Sequence, residues 1–329
     1  MTRILSFNSV SVSKAAAILK SGGIVGMPTE TVYGLAANAF DSKAVARIFE
    51  AKGRPQFNPL IVHVNDIKAV SEIAELNEHA LILAHKFWAG ALTLILPRKH
   101  DSGLSDLVSA GLPSVAVRIP SHRAARALID ACGFPLAAPS ANKSGSLSPT
   151  TPAHVAQSLG NAVDLILADG ACLVGLESTV VDCTGGKPLI LRSGGITAKN
   201  LSDSLGFEIE YDLGYHGGAV KSPGQLLKHY APSIPVRLNA IDLEQGEALL
   251  SFGSAKFMGV KGGGAAADLP DDMVRHLSVE GDLYEAAANL FAMMRELDSP
   301  AHKAIAVMNI PESGIGVAIN DRLRRAAFF

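Results

Sequence analysis

The sequence has few cysteines, no long apolar run and no continuous apolar leader, and each absence excludes a class of protein. Its three cysteines, Cys132, Cys172 and Cys183, are an odd number without paired spacing, so neither a disulfide framework nor a zinc site is expected. No apolar run reaches the roughly 18 residues of a membrane-spanning helix. The N-terminus also lacks the apolar core of a signal peptide. We therefore expect a cytoplasmic protein with no membrane contact.

Net charge and familiar motifs exclude further classes. The formal net charge is −2, so nucleic-acid contact would need a local basic patch. There is no G-x-x-x-x-G-K-[ST], and Pro270 interrupts the helix that should follow the loose G-x-G-x-x-A of "VKGGGAAADLP". The absence of H-E-x-x-H, G-x-S-x-G and C-x-x-C argues against metalloproteases, serine hydrolases and structural zinc.

The chain is long enough, and has enough apolar residues, to form the hydrophobic cores of two domains. The chain has 329 residues, of which 48% are hydrophobic. We predict a larger domain over residues 1–205, a Gly/Pro/Tyr-rich linker or lid over 206–235, and a smaller α/β accessory domain over 236–329.

Strand-like segments dominate the larger domain. Some of them follow one another without intervening helices, so they cannot all be parallel neighbours, and we predict an α/β fold with a twisted mixed sheet flanked by helices. Helices are predicted after a cap at Ser11 or Ser13, from Asp41 to Gly53, around "HALILAHKFWAG", and after a cap at Ser121. The eight candidate strands are Ile24–Met27, Leu60–Val64, "ALTLILP", "SVAVRIP", "PLAAPS", "DLILAD", "STVVDC" and "PLILR".

Polar and small residues cluster near the ends of these strands. Taken singly, each cluster could be an ordinary turn or solvated loop. Together they place four cations beside glycine, proline and hydroxyl residues, an arrangement suited to a polyanion such as a nucleoside triphosphate. The clusters are "PTETVYGL", "KGRPQFNPLIVH", "GLPSVAVRIP", "APSANKSGSLSPT", "GLESTVVD" and "LRSGG", and the cations are Lys52, Arg54, Arg118 and Arg192.

Strand alternation makes a specific prediction for Arg118. In "SVAVRIP", Ser114, Ala116 and Arg118 share one face of the strand. That face could simply be solvated. If it is covered, Arg118 requires an anionic partner or a polar cleft.

The six clusters, in this order and spacing over about residues 10–200, resemble those of the YrdC-type threonylcarbamoyl-adenylate synthases. The "SPGQLLKHYAP" segment and the closing "NDRLRRAA" resemble the long form, which has an added C-terminal domain. The resemblance implies a YrdC-like sheet followed by a smaller Rossmann-like domain. It also implies synthesis of threonylcarbamoyl-adenylate from L-threonine, bicarbonate and ATP, with Mg²⁺ and release of pyrophosphate. The product would pass to a transferase machinery that modifies tRNA next to the anticodon.

The resemblance also assigns roles to residues. It implies catalytic roles for Lys52 and Arg54, with Lys52 stabilising carboxylate and phosphate charge. L-Threonine would contact Thr31, His63, Arg118, Ala138 and Ser178. ATP would contact Arg54, Asn58, Ser114, Ser140, Ser148, Arg192 and Tyr230.

Two alternative functions would use the same set of polar and basic residues. One is an RNA-binding module without turnover, which would show salt-sensitive tRNA affinity; the absence of interleaved aromatic residues argues against it. The other is a carbamoyltransferase, because hydrogenase-maturation proteins carry a YrdC-like domain, though with additional cysteine pairs. Direct tRNA contact, the magnesium ligands and the oligomeric state stay open.

Overall fold

The computed structural model describes residues 3–55, 57–213, 229–254, 259–261 and 269–328. The described chain divides into two compact units. The first comprises residues 3–144, 148–173 and 177–213; the second comprises residues from 229 onwards together with 145–147 and 174–176. The predicted linker or lid over 206–235 stays a prediction, and its residues 214–228 lie outside the described ranges.

The first unit is a mixed eleven-stranded sheet with helices packed on it, which confirms the predicted fold class. Its strand order is β1-β8-β2-β3-β7-β4-β6-β5-β9-β10-β11. The strands are β1 (Ile4–Ser6), β2 (Val25–Met27), β3 (Gly34–Asn38), β4 (Ile61–His63), β5 (Leu92–Pro97), β6 (Ser114–Arg118), β7 (Leu136–Ala137), β8 (Leu165–Ala168), β9 (Thr179–Asp182), β10 (Leu189–Arg192) and β11 (Glu210–Tyr211). The helices are α1 (Ser9–Lys20), α2 (Ser42–Lys52), α3 (Ile67–Ile73), α4 (Glu78–Phe87), α5 (Asp106–Ser109), α6 (Arg123–Cys132), α7 (Pro152–Leu159) and α8 (Ala198–Leu205), with a 3-10 turn at Gly160–Ala162.

All eight predicted strands form, and β1, β3 and β11 were not predicted. Two predicted helix caps are wrong. Asn8, not Ser11 or Ser13, caps α1, and the Ser11 hydroxyl closes a reciprocal capping box with it. His122, not Ser121, caps α6, because its Nδ1 accepts the Ala124 N–H.

Helix α2 begins and ends as predicted and thereby positions part of the site. The Asp41 carboxylate accepts hydrogen bonds from the backbone N–H groups of Lys43 and Ala44. Gly53 ends the helix in the left-handed region, with φ of +59°. The helix therefore ends on Lys52, and the chain turns sharply before Arg54.

Strand direction gathers site residues at one edge of the sheet. β4 and β6 are parallel, β5 is antiparallel to β6 and parallel to β9, and β10 is antiparallel to β9. The carboxyl ends of β4, β6 and β10 therefore meet the amino ends of β5 and β9. The residues at this edge are His63, Thr93, Arg118, Ser178 and Arg192.

The second unit contains a parallel four-stranded sheet in the order β12-β15-β13-β14, consistent with the predicted smaller α/β domain. Its strands are β12 (Val236–Arg237), β13 (Glu247–Ser251), β14 (Val274–His276) and β15 (Ala304–Val307). Its helices are α9 (Leu283–Leu297) and α10 (Gly316–Ala326), with a 3-10 turn at Asp271–Met273. Within the described ranges, no helix combines the length and hydropathy that crossing a bilayer requires.

Candidate active site

A buried ion pair lies at the centre of the polar residues in the first unit. Arg118 Nη2 lies 2.6 Å from Glu30 Oε1, and the two residues are 3% and 6% exposed. Arg118 Nη1 donates to Thr31 Oγ1 at 2.7 Å, and its Nε donates to the Gly90 carbonyl at 3.1 Å. The Arg118 face of β6 is therefore covered and not solvated, and Glu30 is its anionic partner.

The PTET turn holds itself in place through its hydroxyl groups. Thr29 Oγ1 donates to the Val32 carbonyl at 2.6 Å and lies 2.8 Å from Thr31 Oγ1. Burial raises the pKa of Glu30, but the adjacent Arg118 charge and the hydrogen bonds from Arg118 and Ser121 outweigh it, so the net pKa is lowered. Glu30 therefore stays ionised and fixes the Arg118 guanidinium.

His63 is the neighbour of Arg118 across the β4–β6 pairing. Burial first, and then the Arg118 charge, lower its pKa to about 3. Its Nδ1 lies 3.2 Å from the Ile61 carbonyl, and the Leu136 backbone also forms a hydrogen bond with the ring. His63 is thus a neutral imidazole beside a guanidinium.

Lys52 binds the loop that follows β7. Its Nζ lies 2.6 Å from the Ser140 carbonyl and also donates to the Asn142 carbonyl. The side chain is 2% exposed, and desolvation, reinforced by Arg54 and Lys143, lowers its pKa well below the ordinary value. The same loop is anchored to β4, because the Ala138 N–H donates to the Ile61 carbonyl at 2.9 Å.

The Arg54 side chain binds the backbone at Asn58 and Pro59. Arg54 Nε donates to the Asn58 carbonyl at 3.3 Å, and Nη2 donates to the Pro59 carbonyl at 3.0 Å. The Asn58 side chain is 0% exposed, and neither Nδ2 nor Oδ1 has a partner among the described residues. Native structures contain few such groups, so each calls for an explanation.

Ser178 connects two strands at the same sheet edge. Its Oγ lies 2.7 Å from Thr93 Oγ1 and accepts a hydrogen bond from Arg192 Nη2 at 3.1 Å. Arg192 Nε also donates to the Ser178 carbonyl at 3.0 Å. The guanidinium is therefore held in one orientation by the residue that precedes β9.

Three predicted residues remain, Ser114, Ser148 and Tyr230. The hydroxyl group of Ser148 donates to Glu177 Oε1, and both residues are buried. Ser114 is the half-buried first residue of β6, on the Arg118 face. Tyr230 lies in the second unit.

Sequence reasoning missed three polar partners. Glu30, Thr93 and Glu177 carried no predicted role, although each contacts a predicted site residue. Glu30 could have been found, because it is the single carboxylate in a buried hydroxyl-rich turn and the analysis of β6 required an anion.

Comparisons with known proteins agree across the whole chain. Residues 17–194 match the family model of Sua5, YciO and YrdC proteins, described as telomere recombination, and residues 196–328 match the threonylcarbamoyl-AMP synthase C-terminal domain. The chain is 40% identical to threonylcarbamoyl-AMP synthases of Bacillus subtilis (99% of this chain, 96% of that protein) and Pyrococcus abyssi (95% and 93%). It also superposes on the crystal structure of P. abyssi Sua5 complexed with L-threonine, with a TM-score of 0.87 and 34% identity over 99% of this chain and 97% of that one.

Proposed function

The chain belongs to the threonylcarbamoyl-AMP synthase family and is an enzyme of that type, and from this premise we propose how its buried side chains bind the substrates. The reaction joins L-threonine, bicarbonate and ATP into threonylcarbamoyl-AMP and releases pyrophosphate. The observation that carries the proposal is the network of Glu30, Thr31 and Arg118, in a fold that matches a relative solved with L-threonine.

Arg118 is suited to bind the carboxylate of L-threonine. A guanidinium has five N–H donors, and the three contacts to Glu30, Thr31 and Gly90 use three of them. The two others, one on each terminal nitrogen, match the two oxygens of a carboxylate. Glu30 holds the guanidinium in place before the substrate arrives, so little ordering remains to be done on binding.

Other polar residues at this edge of the sheet can bind the hydroxyl and ammonium groups of L-threonine. The neutral His63 has one ring nitrogen that can accept a hydrogen bond, which suits the substrate hydroxyl or ammonium group. Thr31 and Ser178 offer further hydroxyl groups, and Ala138 offers a small side chain. These contacts leave the amine, once its ammonium form has lost a proton to solvent, oriented for attack on bicarbonate or on the CO₂ formed from it. The N–C bond of the carbamate forms as a C–O bond gives way, with loss of water from bicarbonate, and the second proton on nitrogen also passes to solvent.

The second step links the carbamate to the nucleotide. A carbamate oxygen attacks the α-phosphorus of ATP, and the bond to the pyrophosphate oxygen breaks. Negative charge that develops there is stabilised by fixed cations, for which we propose Lys52, Arg54 and Arg192. Asn58, Ser114, Ser140, Ser148 and Tyr230 would bind the nucleotide. No covalent enzyme intermediate is needed.

Magnesium is proposed to arrive as part of the ATP substrate. Among the described residues there is no group of three or more His, Cys, Asp or Glu side chains that could hold a metal ion. Mg²⁺ in such reactions commonly keeps water and phosphate oxygens as its main ligands. We further propose that the product passes to a tRNA-modifying transferase. The cytoplasmic location stays a prediction.

The test is pyrophosphate release with all three substrates and with each omitted in turn. We expect release only in the complete mixture, and mass spectrometry should find the threonylcarbamoyl adduct of AMP. Thr31→Val removes the hydroxyl that faces Arg118 and should raise the KM for L-threonine more than that for ATP. Release that is independent of L-threonine would contradict the proposal.

A further inference from the structure

Three buried ionic side chains share α10. Asp321, Arg322 and Arg325 are 1%, 1% and 2% exposed. Arg322 Nη1 lies 2.9 Å from Asp321 Oδ2, and Arg325 Nε lies 3.0 Å from Asp321 Oδ1. One carboxylate therefore orients two guanidinium groups inside the second unit.

The orientation of Arg322 brings its charge against an aromatic ring. Its Cζ lies 5.2 Å from the centroid of the Tyr230 ring, which is within the range of a cation–π interaction. Both residues are 1% exposed, so water does not weaken the attraction. Phe291 also contacts the Tyr230 ring, with centroids 5.6 Å apart.

The backbone of Tyr230 is strained and held on both sides. Its φ is +59°, in the left-handed region that side chains other than glycine rarely adopt. The N–H of the preceding His229 donates to the Arg325 carbonyl at 3.3 Å, and the N–H of the following Ala231 donates to the Gly145 carbonyl at 2.9 Å. A strained conformation persists only where its surroundings fix it, and α10 supplies much of that fixation.

The Ala231–Gly145 hydrogen bond involves a segment that lies between two residues of the proposed function. Gly145 lies in the chain between Ser140 and Ser148, the two serines proposed to bind ATP. A guanidinium nitrogen of Arg295 on α9 donates to the Leu147 carbonyl of that segment. Residues 145–147 are therefore held by the unit that also holds Tyr230.

We infer that Arg322 is a positioning residue for Tyr230, through which α10 sets the affinity for ATP. This inference rests on the proposed contact between Tyr230 and the nucleotide. Arg322 orients the Tyr230 ring and is not itself proposed to contact ATP or L-threonine.

The first test compares two arginines of the same helix. Arg322→Lys keeps the charge but loses the planar group that stacks on the ring. Arg324→Lys is the control, because the Arg324 side chain is 42% exposed and pairs with Glu312. We expect Arg322→Lys to raise the KM for ATP about tenfold while the KM for L-threonine changes less than twofold. Arg324→Lys should change neither, and equal rises in both KM values for Arg322→Lys would overturn the inference.

A double-mutant cycle separates positioning from a general structural role. If Arg322 acts through the ring, Arg322→Lys should raise the KM for ATP no further in a Tyr230→Leu background. Independent, additive effects would overturn the inference.

If Arg322→Lys does not fold, the contact between Arg322 and the Tyr230 ring can be tested by substituting Tyr230. Tyr230→Phe keeps the ring and should keep the melting temperature within about 2 °C of wild type, whereas Tyr230→Leu should lower it further. Equal melting temperatures for the two variants would overturn the inference. This comparison needs no catalytic activity, so it stays informative even if the omission experiment defeats the proposed function.

Discussion

The carboxylate of Glu30 and the guanidinium of Arg118 form a 2.6 Å ion pair across 88 residues of sequence, with both side chains almost completely buried. Removing one partner from such a pair leaves the other charge without compensation. Breaking the pair should therefore destabilise the fold, and the pair also orients the group proposed to bind the substrate carboxylate.

Glu30→Gln should affect stability and substrate binding together. We expect the free energy of unfolding to fall by about 3–5 kcal/mol, because a buried guanidinium loses its counter-charge. The KM for L-threonine should rise more than that for ATP. Urea unfolding and steady-state kinetics measure the two effects.

The control for this variant is an exposed ion pair. Lys199 Nζ lies 2.7 Å from Asp203 Oδ2, and their side chains are 81% and 60% exposed. Asp203→Asn should therefore change stability by no more than about 0.5 kcal/mol. Comparable losses of unfolding free energy from Glu30→Gln and Asp203→Asn would show that the buried pair matters no more to stability than an exposed one.

The Glu30 pair should also show a defined pH dependence. Its pKa in the folded state is lowered below the ordinary value of 4.5. As the pH falls below 4.5, the unfolded chain takes up this proton first, so the stabilisation is complete above that pH and is lost as the pH falls through the folded-state pKa. Stability measured from pH 7 to pH 3 should show the gap between wild type and Glu30→Gln narrowing below pH 4.5. A constant gap would contradict the lowered pKa.

His63 should remain neutral throughout the physiological range. Its pKa of about 3 in the folded state lies below the ordinary value of 6.5, so folding costs more as the pH falls from 6.5 towards 3, when only the unfolded chain is protonated. Wild type should therefore lose more stability between pH 7 and pH 4 than His63→Gln does. The imidazole resonances of His63 should not shift between pH 8 and pH 5, and a titration midpoint near 6.5 would refute this assignment.

The sequence predicted much of this edge of the sheet, because the alternation of side chains between the two faces of a strand can be read from neighbouring residues. In β6 it placed Ser114, Ala116 and Arg118 on one face, and it required an anion if that face was covered. Strand spacing did not pair Arg118 with Glu30, since it carries no information on a partner 88 residues away; only the lone carboxylate of the PTET turn pointed to Glu30. The short motifs identified which side chains belong to the site. Which of these side chains contact one another depends on strand pairing, which the motifs do not show.

The missed elements have similar physical causes. Strand β3 has the sequence "GLAAN", whose glycine and alanines have low strand propensity; it forms because β2 and β7 pair with its two edges. The cap of α1 lies at Asn8, earlier than predicted, because Asn8 Oδ1 accepts the Ser11 N–H and the Ser11 hydroxyl accepts the Asn8 N–H. Tertiary pairing and reciprocal caps are not visible in hydrophobic periodicity.

Asn58 offers a variant whose effects on stability and activity should have opposite signs. Its buried amide has no partner among the described residues, so Asn58→Leu should raise the free energy of unfolding by about 1–3 kcal/mol. If the amide serves ATP, the KM for ATP should rise at the same time. Asn77→Leu is the matched contrast, because Asn77 caps α4 and donates to the Cys183 carbonyl, and its loss should destabilise the fold. Destabilisation by Asn58→Leu would show that the amide has a structural role instead.

Lys52 should be required both for its charge and for its shape. Its ammonium fits between the carbonyls of Ser140 and Asn142 while 2% exposed, a space that a branched guanidinium does not match. Lys52→Met should lower kcat about 100-fold, because it removes both a fixed cation and the tie that holds the loop. Lys52→Arg should recover little of this loss. Lys43→Arg, at an exposed position of the same helix, is the control and should behave as wild type. Single-turnover pyrophosphate release gives the rate and thermal unfolding reports on the fold; full activity of Lys52→Arg would mean that charge alone suffices.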